Sequence, residues 1–188
     1  MIDLFLNYLS NSSAITILVL LVLSIYFIST IWVYLYRYFN LNSLVKNEQK
    51  SLEALVLNNH MTINPLSKLS RCTKSNQVSK EMLSACEISI IREASVGISW
   101  LSIVASTAPF IGLFGTVVGI LEAFAMFAGM DKVGFGTIAP AISEALIVTA
   151  NGIFVATFAY TFHQILSRKV YELHTYLKAQ SEILISRA

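Results

Sequence analysis

Charge is what this 188-residue chain has least of: Asp, Glu, Lys and Arg make up 13% of it, while 55% is apolar. An ordinary soluble domain carries about 25% charged residues, so a conventional water-facing surface is excluded. Proline is limited to three residues and cysteine to two, which leaves neither a proline-rich linker nor a disulfide scaffold. The phosphate-cradling patterns GxxxxGK[ST] and GxGxxG are missing, as are paired carboxylates, a nucleophile with its base, and a zinc-type Cys/His spacing. The chain is therefore read as a non-enzyme, with no metal and no cofactor expected.

The few charges are clustered, and between the clusters lie three runs free of Asp, Glu, Lys and Arg: Ala14 to Tyr36, Ala94 to Leu121, and Ala145 to Ser167. A hydrocarbon core of about 30 Å needs about 20 helical residues, so each run is long enough to cross. A cleaved signal peptide would need a basic start and a short apolar core. Here Asp3 is the only charged side chain before Arg37, and the first run is read as a retained anchor.

Sidedness follows from Lys and Arg, which cytoplasmic flanks retain. Arg37, Lys46, Lys50, Lys68, Arg71, Lys74, Lys80 and Arg92 lie between the first two runs, and Arg168, Lys169, Lys178 and Arg187 follow the third; only Lys132 lies between the second and third. The expected map is an external N-terminus (1–13), a first span (14–36), a cytoplasmic helical segment (37–93), a second span (94–121), an external loop (122–137), a third span (138–167) and a cytoplasmic C-terminal helix (168–188). The fold class is thus all-α: an integral membrane protein of three transmembrane helices with long cytoplasmic helical extensions. Cys72 and Cys86 fall in the cytoplasmic segment, where thiols stay reduced, and no structural disulfide is expected.

Trp32, Tyr34, Tyr36 and Tyr38 form an aromatic belt around Arg37, marking the cytoplasmic edge of the first span. Beyond it, Leu41, Leu44, Val45, Leu52, Leu55 and Val56 share roughly one helical face over 41–62, and Pro65 ends or bends that helix. Val78, Met82, Leu83, Cys86 and Ile90 repeat at helical spacing and run without a turn signal into the second span, which predicts one long helix.

Small residues dominate one face of the second span: Ala105, Ala108, Gly112, Thr116, Gly119 and Ala123 fall in an arc of about 80°. Gly115 and Gly119 make a GxxxG packing motif, and Pro109 should kink the helix or free a carbonyl. The third span carries a similar stripe, Ala145, Thr149, Gly152, Ala156 and Ala159, with Glu144 and Asn151 on another flank. Which of these faces meets a neighbouring helix and which a pore stays open at this level. Glu144 is read either as an interfacial carboxylate facing water or as an acid at the mouth of an ion path. Thr116 and Thr149 lie deeper, and such hydroxyls commonly bond the carbonyl one turn back. His163 reads as interfacial. No carboxylate occupies the centre of any span, so the chain by itself cannot be a complete proton relay.

The runs from Ala105 to Ile120 (ASTAPFIGLFGTVVGI) and from Ile138 to Gly152 (IAPAISEALIVTANG) resemble the ExbB/TolQ branch of the MotA/TolQ/ExbB proton-channel family. The resemblance implies a subunit of a bacterial inner-membrane motor driven by the proton-motive force. Five such chains would ring two single-span ExbD-like or TolR-like helices, each with a membrane aspartate, and pass work to a TonB-like or TolA-like protein. It also implies that Thr116, Thr149 and Glu144 line the proton path, and that Gly112, Gly115, Gly119, Gly152 and Pro109 serve helix packing. Two positions depart from the pattern. Phe158 stands where the family has a proline, and Asn151 where it is generally apolar, either hydrating the path or bonding an adjacent subunit. Chain length and the lack of an extended N-terminal region lean toward TolQ, although the ExbB and TolQ roles share these motifs. The rival reading is a passive membrane scaffold whose small-residue stripes only pack helices.

Overall fold

A computed structural model describes residues 14–57, 67–72, 79–128 and 134–187. Among them the structure is entirely helical: α1 (Ala14–Leu57), a 3-10 turn (Leu69–Arg71), α2 (Lys80–Ser95), α3 (Ile98–Phe127) and α4 (Phe135–Arg187). Helices α1, α3 and α4 are each long and apolar enough to cross a membrane, as the three uncharged runs predict. Helix α3 continues through Pro109 and α4 through Pro140.

The single helix expected to run from the cytoplasmic segment into the second span is corrected to two. Helix α2 starts at Ser79, whose side chain accepts a hydrogen bond from the Met82 amide at 3.2 Å, and stops at Ser95. Gly97 then turns with φ +84°, a left-handed conformation that costs other L-residues about 1–2 kcal/mol. Helix ends also shorten the expected 122–137 loop, since α3 reaches Phe127 and α4 begins at Phe135. The expected N-terminal segment 1–13 and the turn at Pro65 lie outside the described residues.

The helices contribute to two compact units. The first takes the described residues up to 32 together with 100–161. Its core is Val19 and Leu23 of α1, Val104 and Ala108 of α3, and Val148, Val155, Ala156 and Ala159 of α4. Phe27 of α1 meets Phe154 and Phe158 of α4 with ring centroids 5.7 and 5.9 Å apart. Phe158, where the resemblance implies a proline, is therefore a packing partner of α1. Around this core the outer side chains are large and apolar, among them Leu18, Ile25, Phe110, Leu121 and Ile153, all exposed. Such a surface suits lipid or further helices rather than water.

The second unit takes 33–99 and 162–187 in their described parts. Its core includes Leu41, Val45 and Leu55 of α1, Leu83 and Ile90 of α2, and Leu166, Leu173, Leu177 and Leu184 of α4. Val56, which shares roughly one helical face with these α1 residues, is 61% exposed. Glu48 is completely buried and organises a polar clasp. Its carboxylate accepts from the Ser67 hydroxyl at 2.7 Å, the Lys68 amide at 2.8 Å and the Gln180 side-chain amide at 3.0 Å. Gln180 also donates to the Glu48 carbonyl at 3.0 Å and accepts from Ser51 at 3.1 Å. A buried carboxylate survives only when so satisfied. Cys72 and Cys86 are paired as a disulfide, correcting the expectation of free thiols: the chain folds back so that the residue after the 3-10 turn meets α2, a proximity that linear spacing does not reveal.

Candidate functional site

The small-residue stripes of α3 and α4 face each other, which settles the choice of packing face within the chain. A Cβ added to Gly152 would lie 2.7 Å from the Ala108 carbonyl oxygen and 2.9 Å from the Gly112 Cα. One added to Gly112 would lie 3.1 Å from the Gly152 Cα and from the Val148 carbonyl oxygen. The backbones thus approach as closely as glycine allows, the condition for van der Waals association in lipid. Gly115 faces the Val148 and Val19 side chains, and Gly119 faces the Ala145 side chain at 3.2 Å.

This close approach gathers two hydroxyls from different helices. Thr116 is buried, and its Oγ1 lies 3.2 Å from the Gly112 carbonyl oxygen and 3.3 Å from that of Ala145. Thr149, half-buried, donates to the same Gly112 carbonyl at 3.1 Å. The two hydroxyls are also hydrogen-bonded directly to each other. Two protons thus share three acceptors: the Gly112 carbonyl, the Ala145 carbonyl and the partner hydroxyl. Thr149 can donate to Gly112 while Thr116 donates to Thr149, or Thr116 can donate to Ala145 while Thr149 donates to Thr116. The two patterns differ in the rotation of the hydroxyls.

The remaining candidates sit on the same two helices. Glu144 is half-buried, five residues before Thr149, a rise of about 7.5 Å along the helix. Asn151 is exposed, and its Nδ2 donates to the Ile147 carbonyl at 3.0 Å. Pro109 and His163 are half-buried. Helix α3 carries a further acid, Glu122, whose Oε2 is buried with no hydrogen-bond partner among the described residues. Its seven-residue offset from Gly115, whose face meets α4, is the signal that could have placed it. The Gly112 and Ala145 carbonyls were not legible, because backbone acceptors carry no residue-type signature. Among the described residues no group of His, Cys, Asp and Glu could hold a metal ion.

Three apolar helices, two of them closed on a glycine seam that holds a hydroxyl pair, define a multi-pass helical membrane protein. The chain belongs to the MotA/TolQ/ExbB proton channel family, whose pattern matches residues 48–179. It is 42% identical over 193 residues, covering all of both chains, to an ExbB-like biopolymer transport protein of Helicobacter pylori strain ATCC 700392 / 26695. It is also 37% identical over 112 residues to the Tol-Pal system protein TolQ of Pseudomonas aeruginosa, covering 46% of this chain and 48% of that one. Against the biopolymer transport protein ExbB of Neisseria gonorrhoeae the identity is 34% over 116 residues, covering 62% of this chain and 53% of the relative. These relatives put the chain in the ExbB/TolQ branch of the family.

Proposed function

We propose that this chain is the proton-channel subunit of an inner-membrane motor that uses the proton-motive force to energise an outer-membrane process. The observation that carries the reading is the Thr116–Thr149 pair on the Gly112 carbonyl. Two hydroxyls that can exchange donor and acceptor roles by rotating are suited to passing a proton between groups on either side. They are not suited to storing one. The uncharged centres of α3 and α4 supply no acid for that purpose, so the storing group comes from a partner: an ExbD-like or TolR-like single-span helix with a membrane aspartate.

In this reading five chains ring two such helices, and Glu144 lies at the external mouth of the path. Protonation and release of the partner aspartate moves the central helices, and the work passes to a TonB-like or TolA-like protein. The N-terminus is external and the C-terminus cytoplasmic, supported by the placement of twelve of the thirteen Lys and Arg residues. The subunit catalyses no covalent chemistry. Full-length similarity to an ExbB-like protein and partial similarity to TolQ proteins support the energiser role in common, either for uptake or for envelope maintenance.

Gentle purification from native membranes followed by mass spectrometry tests this directly. A co-purifying single-span protein with one Asp in its apolar segment is the expected result. A chain that assembles only with itself leaves the path without its acid and favours the passive scaffold.

A further inference from the structure

The side-chain cluster at the membrane edge of the second unit is untouched by the proton path. Arg37 is the first cation after the uncharged run 14–36, within the belt of Trp32, Tyr34, Tyr36 and Tyr38. It lines a small open cleft with Asn40, Lys68 and Glu93, walled by Leu41 and Leu44. Helix α1 thus delivers a guanidinium and a side-chain amide to one face of the cleft, and the segment before the 3-10 turn delivers an ammonium to the other.

The charges in this cleft are unevenly matched. Lys68 Nζ lies 2.7 Å from Glu93 Oε1, but the Glu93 side chain is 68% exposed, so water competes for that pair. The half-buried guanidinium of Arg37 has no carboxylate partner among the described residues; its carbon lies 5.9 Å from the Tyr36 ring centroid. Gly97 makes room for it: a Cβ there would lie 3.3 Å from Arg37 Nε, at a backbone position whose φ of +84° already selects glycine. The cleft therefore holds two cations against one anion, with the planar donor fork of arginine left over.

We propose that this cleft binds the phosphate of an anionic phospholipid head group. Arginine presents paired N–H donors that match two phosphate oxygens. Its depth, one residue beyond the uncharged run and inside the aromatic belt, is that of the head groups. Basic pockets beside transmembrane helices at this level take anionic lipids. Arg37 holds the phosphate, Asn40 donates to a further oxygen, and Lys68 leaves Glu93 to add the second positive charge. Leu41 and Leu44 line the apolar walls. The site rests on α1 crossing the bilayer and not on proton conduction.

The test uses the purified full-length chain in phosphatidylcholine nanodiscs, into which phosphatidylglycerol is titrated while bound lipid is followed by native mass spectrometry. Wild type is expected to retain phosphatidylglycerol over phosphatidylcholine, and Arg37→Gln to weaken that retention about tenfold or more, the loss of a charge-assisted bidentate contact. Arg37→Lys keeps the charge without the fork and is expected to fall between them. Should Arg37→Gln fail to fold, the double variant Asn40→Ala, Lys68→Gln carries the test, with weakened retention expected. Unchanged retention in a folded variant, equal retention of the two lipids, or displacement of phosphatidylglycerol by millimolar inorganic phosphate overturns the proposal. Proton-driven work is not the readout, so loss of the motor function and loss of the lipid site are distinguished.

Discussion

Thr116 and Thr149, on two different helices, bond each other and share the carbonyl oxygen of Gly112. The relationship depends on Gly112 and Gly152, because only bare backbones let α3 and α4 come close enough for the hydroxyls to meet. Helix packing and the proposed proton path are therefore one structure, and substitutions on the seam separate according to which part they touch.

Gly152→Ala is expected to be the most damaging small change on that seam. Its methyl would meet rigid backbone at 2.7 and 2.9 Å, whereas at Gly119 the nearest atom is the Ala145 Cβ at 3.2 Å. Overpacking of this kind costs about 1–3 kcal/mol. Thermal unfolding in detergent should show a clear drop for Gly152→Ala, a smaller one for Gly119→Ala and no loss for Gly136→Ala, where nothing lies within 4 Å.

Phe158→Pro would restore the residue that the family pattern carries. Here it should destabilise, because the ring packs on Phe27 at 5.9 Å and on Phe154 at 4.8 Å. A proline inside a helix adds a cost of about 3 kcal/mol. A lowered melting temperature for Phe158→Pro, with Phe158→Leu in between, is the expected order from the same unfolding assay.

Gln180→Ala should loosen the second unit. It removes the amide that bonds both the carbonyl and the carboxylate of Glu48 and strands the Ser51 hydroxyl. Leaving buried polar groups unsatisfied costs about 1–3 kcal/mol. Limited proteolysis should cut the variant faster than wild type, and Glu48→Ala should behave similarly, since the Ser67 hydroxyl and Lys68 amide lose their acceptor and Gln180 loses one of its two.

The proposed sidedness has its own check. A fluorescent reporter fused after residue 188 should fold and glow, whereas a periplasm-dependent phosphatase at the same place should stay inactive. The reverse pattern would invert the topology read from Lys and Arg.

How much of this was written in the sequence follows from the physics of each feature. Uncharged runs and small-residue stripes are properties of a helix alone, so the three long helices and the stripes themselves are legible, but which face of α4 meets α3 is not. Thr116 and Thr149 could be singled out, but their meeting could not, because it depends on the register between two helices. The break at Gly97 was missed since one glycine in an apolar stretch gives no sign of its φ. Cys72 with Cys86, and Glu48 with Gln180, come together through long-range packing that local periodicity does not encode. The charge of Glu122 ends the uncharged run and so points to a loop, although α3 continues to Phe127.

The central claim is tested most directly by Thr149→Val in the assembled complex. Valine keeps the shape and removes the hydroxyl; interhelical hydrogen bonds in membranes average about 0.6 kcal/mol, so folding and assembly should survive. The account predicts a complex of normal composition that has lost proton-dependent work. Normal work in a complex carrying Thr149→Val would contradict it and leave the hydroxyl pair with a packing role alone.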